Sequence, residues 1–354
     1  MIDELVIVGE LHQDLYYESN FYEDLVNKIV DKLINFIRYN PDDLINRRLL
    51  NKIVKSAYSD LPKKILCDSN IQRGGNGNNS AECLAKLEMP VKLISVTGKG
   101  VSWMVDELSQ LGINTENIYQ IEQKNPISTI IKSAFTTKIY LSPNLKEKMN
   151  FEGKNLEESL FKDAKLIFIT PYAQKYSEIL EKASKLNKII AITIEYQKIN
   201  NSEQFRELVK EKTDLLFINL SEAKLIFENQ NIEGIDSKLK NFSNIRIYTD
   251  GKNGSYIFSD YIRNVFIPTK EVEVIDRTGA GDSYAAGFLA KFSNFFESKT
   301  QLRKILSNDK KEEFRSKLKE CGKYATFTAM YKISHQEAPT KDELKKFITE
   351  LNNQ

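Results

Sequence analysis

The stretch Val274-Ile-Asp-Arg-Thr-Gly-Ala-Gly-Asp-Ser-Tyr-Ala-Ala-Gly-Phe-Leu-Ala290 carries more information than any other part of the chain. It opens on β-branched residues that read as the end of a strand and closes on strong helix formers. Gly279 and Gly281 sit at the junction. Glycine inside a helix costs roughly 0.5–1 kcal/mol relative to alanine, so two of them at a helix start need a reason. One reading is a plain strand-to-helix turn in which Asp282 merely complements the helix dipole. The other is an anion site, where main-chain N–H groups without flanking Cβ atoms point at a phosphate and the helix N-terminus adds partial positive charge. Asp276, Thr278 and Asp282 favour the second reading. A carboxylate beside a bound phosphate is electrostatically unfavourable unless it handles a proton or a metal.

Outward from this segment, short apolar runs alternate with amphipathic stretches. Leu5–Gly9, Val91–Val96, Leu166–Thr170, Ile189–Ile194, Leu215–Asn219 and Ile245–Thr249 are continuous runs of Val, Ile, Leu and Phe, the signature of strands covered on both faces. Helical stretches around Trp103–Leu111 and Ser177–Leu186 intervene, which predicts an α/β fold with a mostly parallel sheet flanked by helices. Two regions break the rhythm. Residues 22–65 read as a helical insertion: Leu25, Ile29, Leu33 and Ile37 recur at four-residue steps, and Pro41-Asp-Asp restarts a second helix through Leu49 and Ile53. Ile127–Leu141, rich in β-branched and aromatic residues and including Phe135-Thr-Thr, reads as a hairpin outside the main sheet.

The 354 residues suit one large or two ordinary domains of about 150. With 41% hydrophobic and 28% charged residues, the composition is that of a globular chain and excludes collagen, wholesale disorder and a disulfide-stapled mini-protein. Lys+Arg at 51 against Asp+Glu at 49 leaves a net charge of +2, so no charge excess points to nucleic acid. Cys67, Cys83 and Cys321 form no CxxC pair, which argues against zinc and redox motifs and fits a reducing compartment. No apolar run approaches the ~20 residues of a membrane span, and the acidic start shows no secretory pattern, so a cytoplasmic protein is expected.

Asp276-Arg-Thr-Gly-Ala-Gly-Asp-Ser-Tyr-Ala-Ala-Gly287 resembles the C-terminal signature DTxGAGDxFxxG of the ribokinase-like (PfkB) family of carbohydrate and nucleoside kinases, with Arg277 and Tyr284 as departures. Four further segments are similar to family motifs and fall in family order. Gly74-Gly75-Asn-Gly-Asn-Asn79 resembles the N-terminal Gly-Gly turn followed by Asn; alone it also reads as a polar loop capping a helix. Asp14, after Val8-Gly9, fits the acidic residue that follows the first strand. Asn219-Leu-Ser-Glu222 is similar to NxxE, and equally close to a capping box. Thr249-Asp-Gly251-Lys-Asn-Gly254 resembles the turn that borders nucleotide phosphates, and alone reads as a hairpin turn.

The resemblance implies a ribokinase-like three-layer fold forming one kinase domain over 1–354, with a small β lid built from elements near 10–20, 68–75 and 127–142. It implies ATP-dependent phosphorylation of a hydroxyl on a small sugar, polyol or nucleoside. By family position, Gly279, Ala280, Gly281 and the Asp282 amide form an anion hole and Asp282 is the base, expected to keep a low pKa near the helix terminus. Asn219 and Glu222 place Mg²⁺ indirectly. With Thr249, Gly251, Gly254 and Thr278 they border the nucleotide, while Asp14, Gly75 and Asn79 meet the acceptor. Such lids often pair between subunits, which implies a homodimer through the lid. Tyr331–His335 lacks the small-residue pattern common near the family's monovalent-cation site, so K⁺ is neither implied nor excluded. Gly98-Lys-Gly100-Val-Ser-Trp103 departs from the family's GxDxxG.

Rival nucleotide folds fail on the residues. The Rossmann fingerprint lacks its third glycine at Trp103, and neither glycine-rich segment supplies GxxxxGK[ST]. A catalytically silent sugar or nucleotide sensor on the same fold is the alternative from another class, and retention of Asp282 and Glu222 argues against it.

Overall fold

The computed structural model describes residues 4–40, 46–133, 137–154, 156–228, 231–262, 264–307 and 310–353. In chain order the first strands are β1 (Glu4–Gly9), β2 (His12–Glu18), β3 (Asp68–Gly74), β4 (Val91–Lys99), β5 (Ile118–Lys124), β6 (Ile127–Lys132) and β7 (Thr137–Tyr140). They are followed by β8 (Ala164–Thr170), β9 (Ile189–Ile194), β10 (Thr213–Asn219), β11 (Ser243–Thr249), β12 (Ser255–Ser259) and β13 (Val265–Ile267). The chain divides into two compact units, one of residues 1–11, 74–125 and 147–354, the other of 12–73 and 126–146.

The first unit holds a nine-stranded sheet in the order β13-β12-β11-β10-β9-β8-β1-β4-β5. Pairs from β5 through β11 are parallel, and β12 and β13 add an antiparallel edge. Alternate side chains of one strand enter two different cores. Leu5 and Ile7 of β1 join the cluster under the helix Ala280–Phe295, while Val6 and Val8 join the one that includes Ile179 and Phe205. Each such side chain contributes about 1.5–3 kcal/mol on burial. Two-sided burial is why the strands read as unbroken apolar runs. Among the described residues no helix is long and apolar enough to cross a membrane.

The second unit holds a four-stranded sheet, β3-β2-β6-β7. β2 runs parallel to β6, and β6 pairs antiparallel with β7, from Thr129 opposite Tyr140 to Lys132 opposite Thr137. The helical period of residues 22–65 becomes two helices, Phe21–Tyr39 and Arg47–Ser59, the second capped by Asn46 accepting from the Leu49 N–H at 3.0 Å. Pro41–Asp43 and Phe135–Thr136, used above to place a restart and a hairpin, lie outside the described residues.

One expectation fails locally. Val274–Asp276 is not a strand end. Val274 and Ile275 are exposed, and the Ile275 and Asp276 N–H groups bond the Ile333 carbonyl, so a helix terminus rather than a sheet neighbour satisfies this backbone.

A close approach anchors the sheet to the helix Asn76–Lys86. A Cβ on Gly77 would stand 2.7 Å from the Gly9 carbonyl carbon and 3.0 Å from the Glu10 nitrogen, and the Asn78 N–H bonds the Glu10 carbonyl at 3.1 Å. The backbone end of β1 therefore touches the first turn of the helix Asn76–Lys86. Gly77→Ala is expected to lower the unfolding free energy by about 1–3 kcal/mol, measured by urea denaturation, because two backbones and not a flexible side chain must move. Unchanged stability would refute the tight contact.

Candidate active site

The carboxyl ends of β1, β8, β9, β10 and β11 line one edge of the large sheet, the edge where open α/β sheets place ligands. Glu10, Thr170, Glu195, Asn219 and Thr249 stand at or just past those ends. The N-termini of the helices Asn76–Lys86 and Ala280–Phe295 meet at the same site.

Gly279 precedes the second of these helices with φ of 75°, a left-handed conformation that glycine adopts without steric cost. This turn swings the chain from its strap on Ile333 into the helix. Thr278 donates its N–H to Asp276 Oδ1 at 2.9 Å, and Ser283 donates to the Gly279 carbonyl at 2.9 Å. The Ala280 N–H meets the Arg277 carbonyl at 3.2 Å. Among the described residues the Gly281 and Asp282 N–H groups have no protein acceptor, as expected at helix positions whose partners would lie outside the helix. Gly281 is exposed, and a Cβ built on it meets nothing within 4 Å. Arg277 is exposed as well.

Asp282 points inward and is only 8% exposed. Asn79 Nδ2 donates to its Oδ2 at 2.8 Å, and Asn76 Nδ2 donates to its Oδ1 at 3.0 Å. Asn76 also donates to Glu195 Oε1 at 2.7 Å, so one amide spans two carboxyl groups. Asn78 Nδ2 bonds Asn79 Oδ1 at 3.1 Å, which turns the Asn79 nitrogen towards Asp282. Burial pushes the Asp282 carboxyl up to about 7. The Asn79 hydrogen bond works against that rise, the nearby Glu195 carboxyl adds to it, and Asn76 and Lys332 oppose it. The low pKa expected from the helix dipole is therefore not found: desolvation outweighs it.

A second layer of charge surrounds this pair. Burial raises Glu195, with Glu10 and Glu222 adding repulsion against the Asn76 hydrogen bond. Lys175 and Lys198 converge on Glu10 Oε1 at 3.3 and 2.9 Å. The capping-box reading of Asn219–Glu222 holds by half. Asn219 accepts from the Ser221 N–H at 2.8 Å, but Glu222 turns away to accept from the Tyr196 N–H at 3.1 Å. Burial raises Glu222 too. Lys332, lowered by burial, lies against Gly279: a Cβ there would stand 3.3 Å from its Cε.

The remaining candidates fall in three places. Asn219 and Thr249 are register partners on β10 and β11, and the turn Gly251–Asn253 leads to Gly254, whose carbonyl accepts from Asp250 at 2.8 Å. The Lys252 carbonyl accepts from Thr269 Oγ1 at 2.6 Å. Thr269 in turn lines a cavity of about 440 Å³ with Pro268, Thr326, Phe327 and Met330. Gly75, with φ of 98°, precedes the helix that carries Asn76 and Asn79. Asp14 belongs to the second unit, buried on β2, with His12 Nε2 3.2 Å from its Oδ1 and Ser128 Oγ 3.1 Å from that nitrogen.

Sequence reasoning missed Asn76, Glu195 and Lys332. Asn76 stands inside the motif that was read, but only its neighbours were given roles. Glu195 directly follows an apolar strand, the one available signal. Lys332 lies inside the stretch Tyr331–His335 that was compared with the family's monovalent-cation site, but it was given no role there.

A model of the pfkB family of carbohydrate kinases matches residues 68–343. The chain belongs to that family. It is therefore a phosphotransferase with an alcohol group as acceptor. Over 344 residues it is 23% identical to a 5-dehydro-2-deoxygluconokinase of Clostridium botulinum, covering 90% of this chain and 91% of that protein. A nucleoside kinase of Methanocaldococcus jannaschii is 39% identical over 93 residues, 26% of this chain and 30% of that one. The fold matches ribokinase from Giardia lamblia with a TM-score of 0.71 at 14% identity, covering 99% and 100% of the two chains. It matches an ATP-bound fructokinase from Xylella fastidiosa with a TM-score of 0.70 at 15% identity, again covering 99% and 100%.

The Asp282 environment has a consequence for stability. The folded chain keeps this proton up to about pH 7, while the unfolded chain releases it near the ordinary 3.8. Folding therefore takes up a proton in that window, and stability falls as pH rises through it. Asp282→Asn removes this penalty. Its Tm relative to wild type is expected to be higher at pH 8 than at pH 5, by the equivalent of on the order of 2–4 kcal/mol. A difference that does not change with pH would mean that the carboxyl is not destabilised by burial.

Proposed function

We propose that this kinase transfers the γ-phosphoryl of ATP to a hydroxyl of a small sugar, sugar acid or nucleoside, with Asp282 taking the acceptor's proton. The observation that carries the reading is the pairing of a buried carboxyl with open main-chain amides on one helix start. The Gly281 and Asp282 N–H groups would hold the migrating phosphoryl, and the absence of a side chain at Gly281 leaves it room. Gly279 shapes the turn, and the Ala280 N–H already serves it. Asn76 and Asn79 orient the carboxylate, so its free lone pairs face the acceptor.

Phosphoryl transfer depends more on positioning and charge stabilisation than on a strong base. A carboxyl that ionises near neutrality is nonetheless matched to accepting a proton at working pH. Lys332, beside Gly279, would offset phosphate charge from the helix side.

The nucleotide would lie over the ends of β10 and β11, its phosphates bordered by Asn219, Thr249, Gly251, Gly254 and Thr278. The Thr269 hydrogen bond to Lys252 joins that turn to the apolar cavity, which suits the base. The fold family implies Mg²⁺. Among the described residues no group of three or more His, Cys, Asp or Glu is placed to hold a metal alone. Glu222, with Asn219 beside it, supplies hard oxygen donors, which fits an ion carried mainly by phosphate oxygens and water. Such an ion, when bound, neutralises phosphate charge. Asp14, Gly75 and the small sheet enter as acceptor site and lid through family position, and a closed lid would limit hydrolysis of ATP by water.

The kinase match spanning most of both chains bears the name of a keto sugar acid, whereas the nucleoside kinase match is short. That ranks 5-dehydro-2-deoxygluconate first among acceptors to be screened, with ribose, fructose, myo-inositol and nucleosides beside it. ADP production is the readout, and ligand binding without ADP would favour the sensor instead.

With the acceptor in hand, Asp282→Asn is expected to lower kcat by ~10²–10⁴ with ATP affinity retained. Gly281→Ala should also lose most turnover while keeping wild-type Tm, because its methyl group enters space that only the substrate uses. Wild-type turnover in either variant removes that residue from the mechanism. Thr326→Phe, which grows into the cavity, is expected to raise the KM for ATP about tenfold with the acceptor KM unchanged, about 1.4 kcal/mol. Equal effects on both KM values would place the base elsewhere.

A further inference from the structure

The chain has two histidines, and they differ in setting. His335 is exposed at a helix end, whereas His12 is buried on β2, two residues before Asp14. The mechanism gives His12 no part. A strand covered on one face ordinarily buries apolar side chains there and leaves polar ones outside. The β2–β6 pair departs from that rule at one point. Asp14 and Ser128 are register partners, and His12 projects from the same face of β2 as Asp14. All three are buried. Ile130, the next residue of β6 on that face, is buried and apolar, so the trio is no solvated strand edge. Burying polar groups costs free energy unless they serve one another, and such a local break in pattern marks a functional position.

The geometry shows how they serve one another. His12 Nε2 stands 3.2 Å from Asp14 Oδ1 and 3.1 Å from Ser128 Oγ. A ring nitrogen this close to a carboxylate oxygen carries a proton, because its lone pair would be repelled there. The hydrogen bond runs to Ser128, and the contact with Asp14 Oδ1 is electrostatic. Among the described residues Oδ1 is buried without a hydrogen bond of its own. The two carboxylate oxygens are therefore unequal. Oδ1 lies closed off beside His12, and Oδ2 is left to meet a ligand. A carboxylate open at both oxygens can take two neighbouring hydroxyls of a sugar, one on each. A carboxylate open at one takes a single hydroxyl.

We propose that His12 is a specificity-determining residue: by closing one oxygen of Asp14 it limits that carboxylate to one hydroxyl of the acceptor, so that acceptors lacking the neighbouring hydroxyl, deoxy sugars and deoxy sugar acids among them, are taken as well as their hydroxylated counterparts. This rests on the reading in which Asp14 meets the acceptor. A hydroxyl bound by a buried group is required by the site, and one that no group reads is dispensable.

Steady-state ADP production tests it with three acceptor series: ribose, cytidine and 5-dehydrogluconate, each beside its analogues that lack one hydroxyl. For the series that is turned over, kcat/KM of each analogue relative to its parent is compared between wild type and Asp14→Ala. Removing one particular hydroxyl is expected to cost the wild type about ten- to a hundredfold and Asp14→Ala less than about threefold. Its neighbours are expected to cost the same in both proteins. His12→Ala, which uncovers Oδ1, should make a second, adjacent hydroxyl depend on Asp14 by about tenfold. His12→Gln, which keeps an N–H near the place of Nε2, should retain the wild-type ratios. A merely structural His12 would lower stability and the turnover of every acceptor alike and leave the ratios unmoved. Nitrogen-15 NMR of the wild type, with the two histidine signals told apart by His12→Gln, needs no turnover and is expected to show a proton on Nε2 of His12 from pH 6 to 8. Two adjacent hydroxyls that both depend on Asp14 in the wild type overturn the proposal. So does His12→Ala with wild-type ratios, or an Nε2 without its proton. If no hydroxyl depends on Asp14 while turnover persists, the placement of the acceptor at Asp14 fails and the proposal with it. If no member of any series yields ADP, the acceptor classes themselves are wrong and the proposal falls with them.

Discussion

A carboxyl group held away from water by two asparagine amides is the constraint from which the site follows. Asp282 can be buried because Asn76 and Asn79 satisfy its oxygens, at 3.0 and 2.8 Å. Those amides can reach it because the helix that carries them starts in backbone contact with the end of β1. That contact needs glycine on both sides, at Gly9 and Gly77. The chain from sheet to chemistry is therefore short: strand end, glycine contact, helix start, amide, carboxyl. A shift of the helix would move both amides at once.

The same arrangement explains why the site is charged in layers. A carboxyl near pH 7 beside unsatisfied N–H groups is poised for either protonation state. Glu195 shares the Asn76 amide with it, and Glu10 is held by Lys175 and Lys198. Burial is the dominant influence on Asp282 and Glu195. The helix dipole, the one electrostatic feature visible in sequence, is worth about 0.3–1 kcal/mol in ordinary settings and is overcome by desolvation here.

Much of the fold was legible because two-sided burial leaves unbroken apolar runs. The strands at Leu5, Leu166, Ile189, Leu215 and Ile245 appear where those runs stand, and the kinase family is confirmed. Val274–Asp276 was misread because β-branched residues signal strand only when a sheet neighbour is present. β5, half-exposed at the sheet edge, has no such run and was not anticipated. In the site, glycine and acidic residues at motif spacings were readable, since backbone geometry and charge demand those types. Asn76, Glu195 and Lys332 were not, because each acts through a partner more than 50 positions away in sequence. Glu222 shows the same limit: its spacing to Asn219 suggested a local cap, and tertiary structure gave it the Tyr196 N–H instead.

The ionisation of Asp282 is where these arguments converge. Carbon-13 NMR of protein labelled at the aspartate side-chain carboxyl, with Asp282→Asn to assign the signal, follows it directly. The account predicts one carboxyl resonance, absent from the variant, that titrates near pH 7. Titration of every aspartate below pH 5 in the intact protein would contradict it.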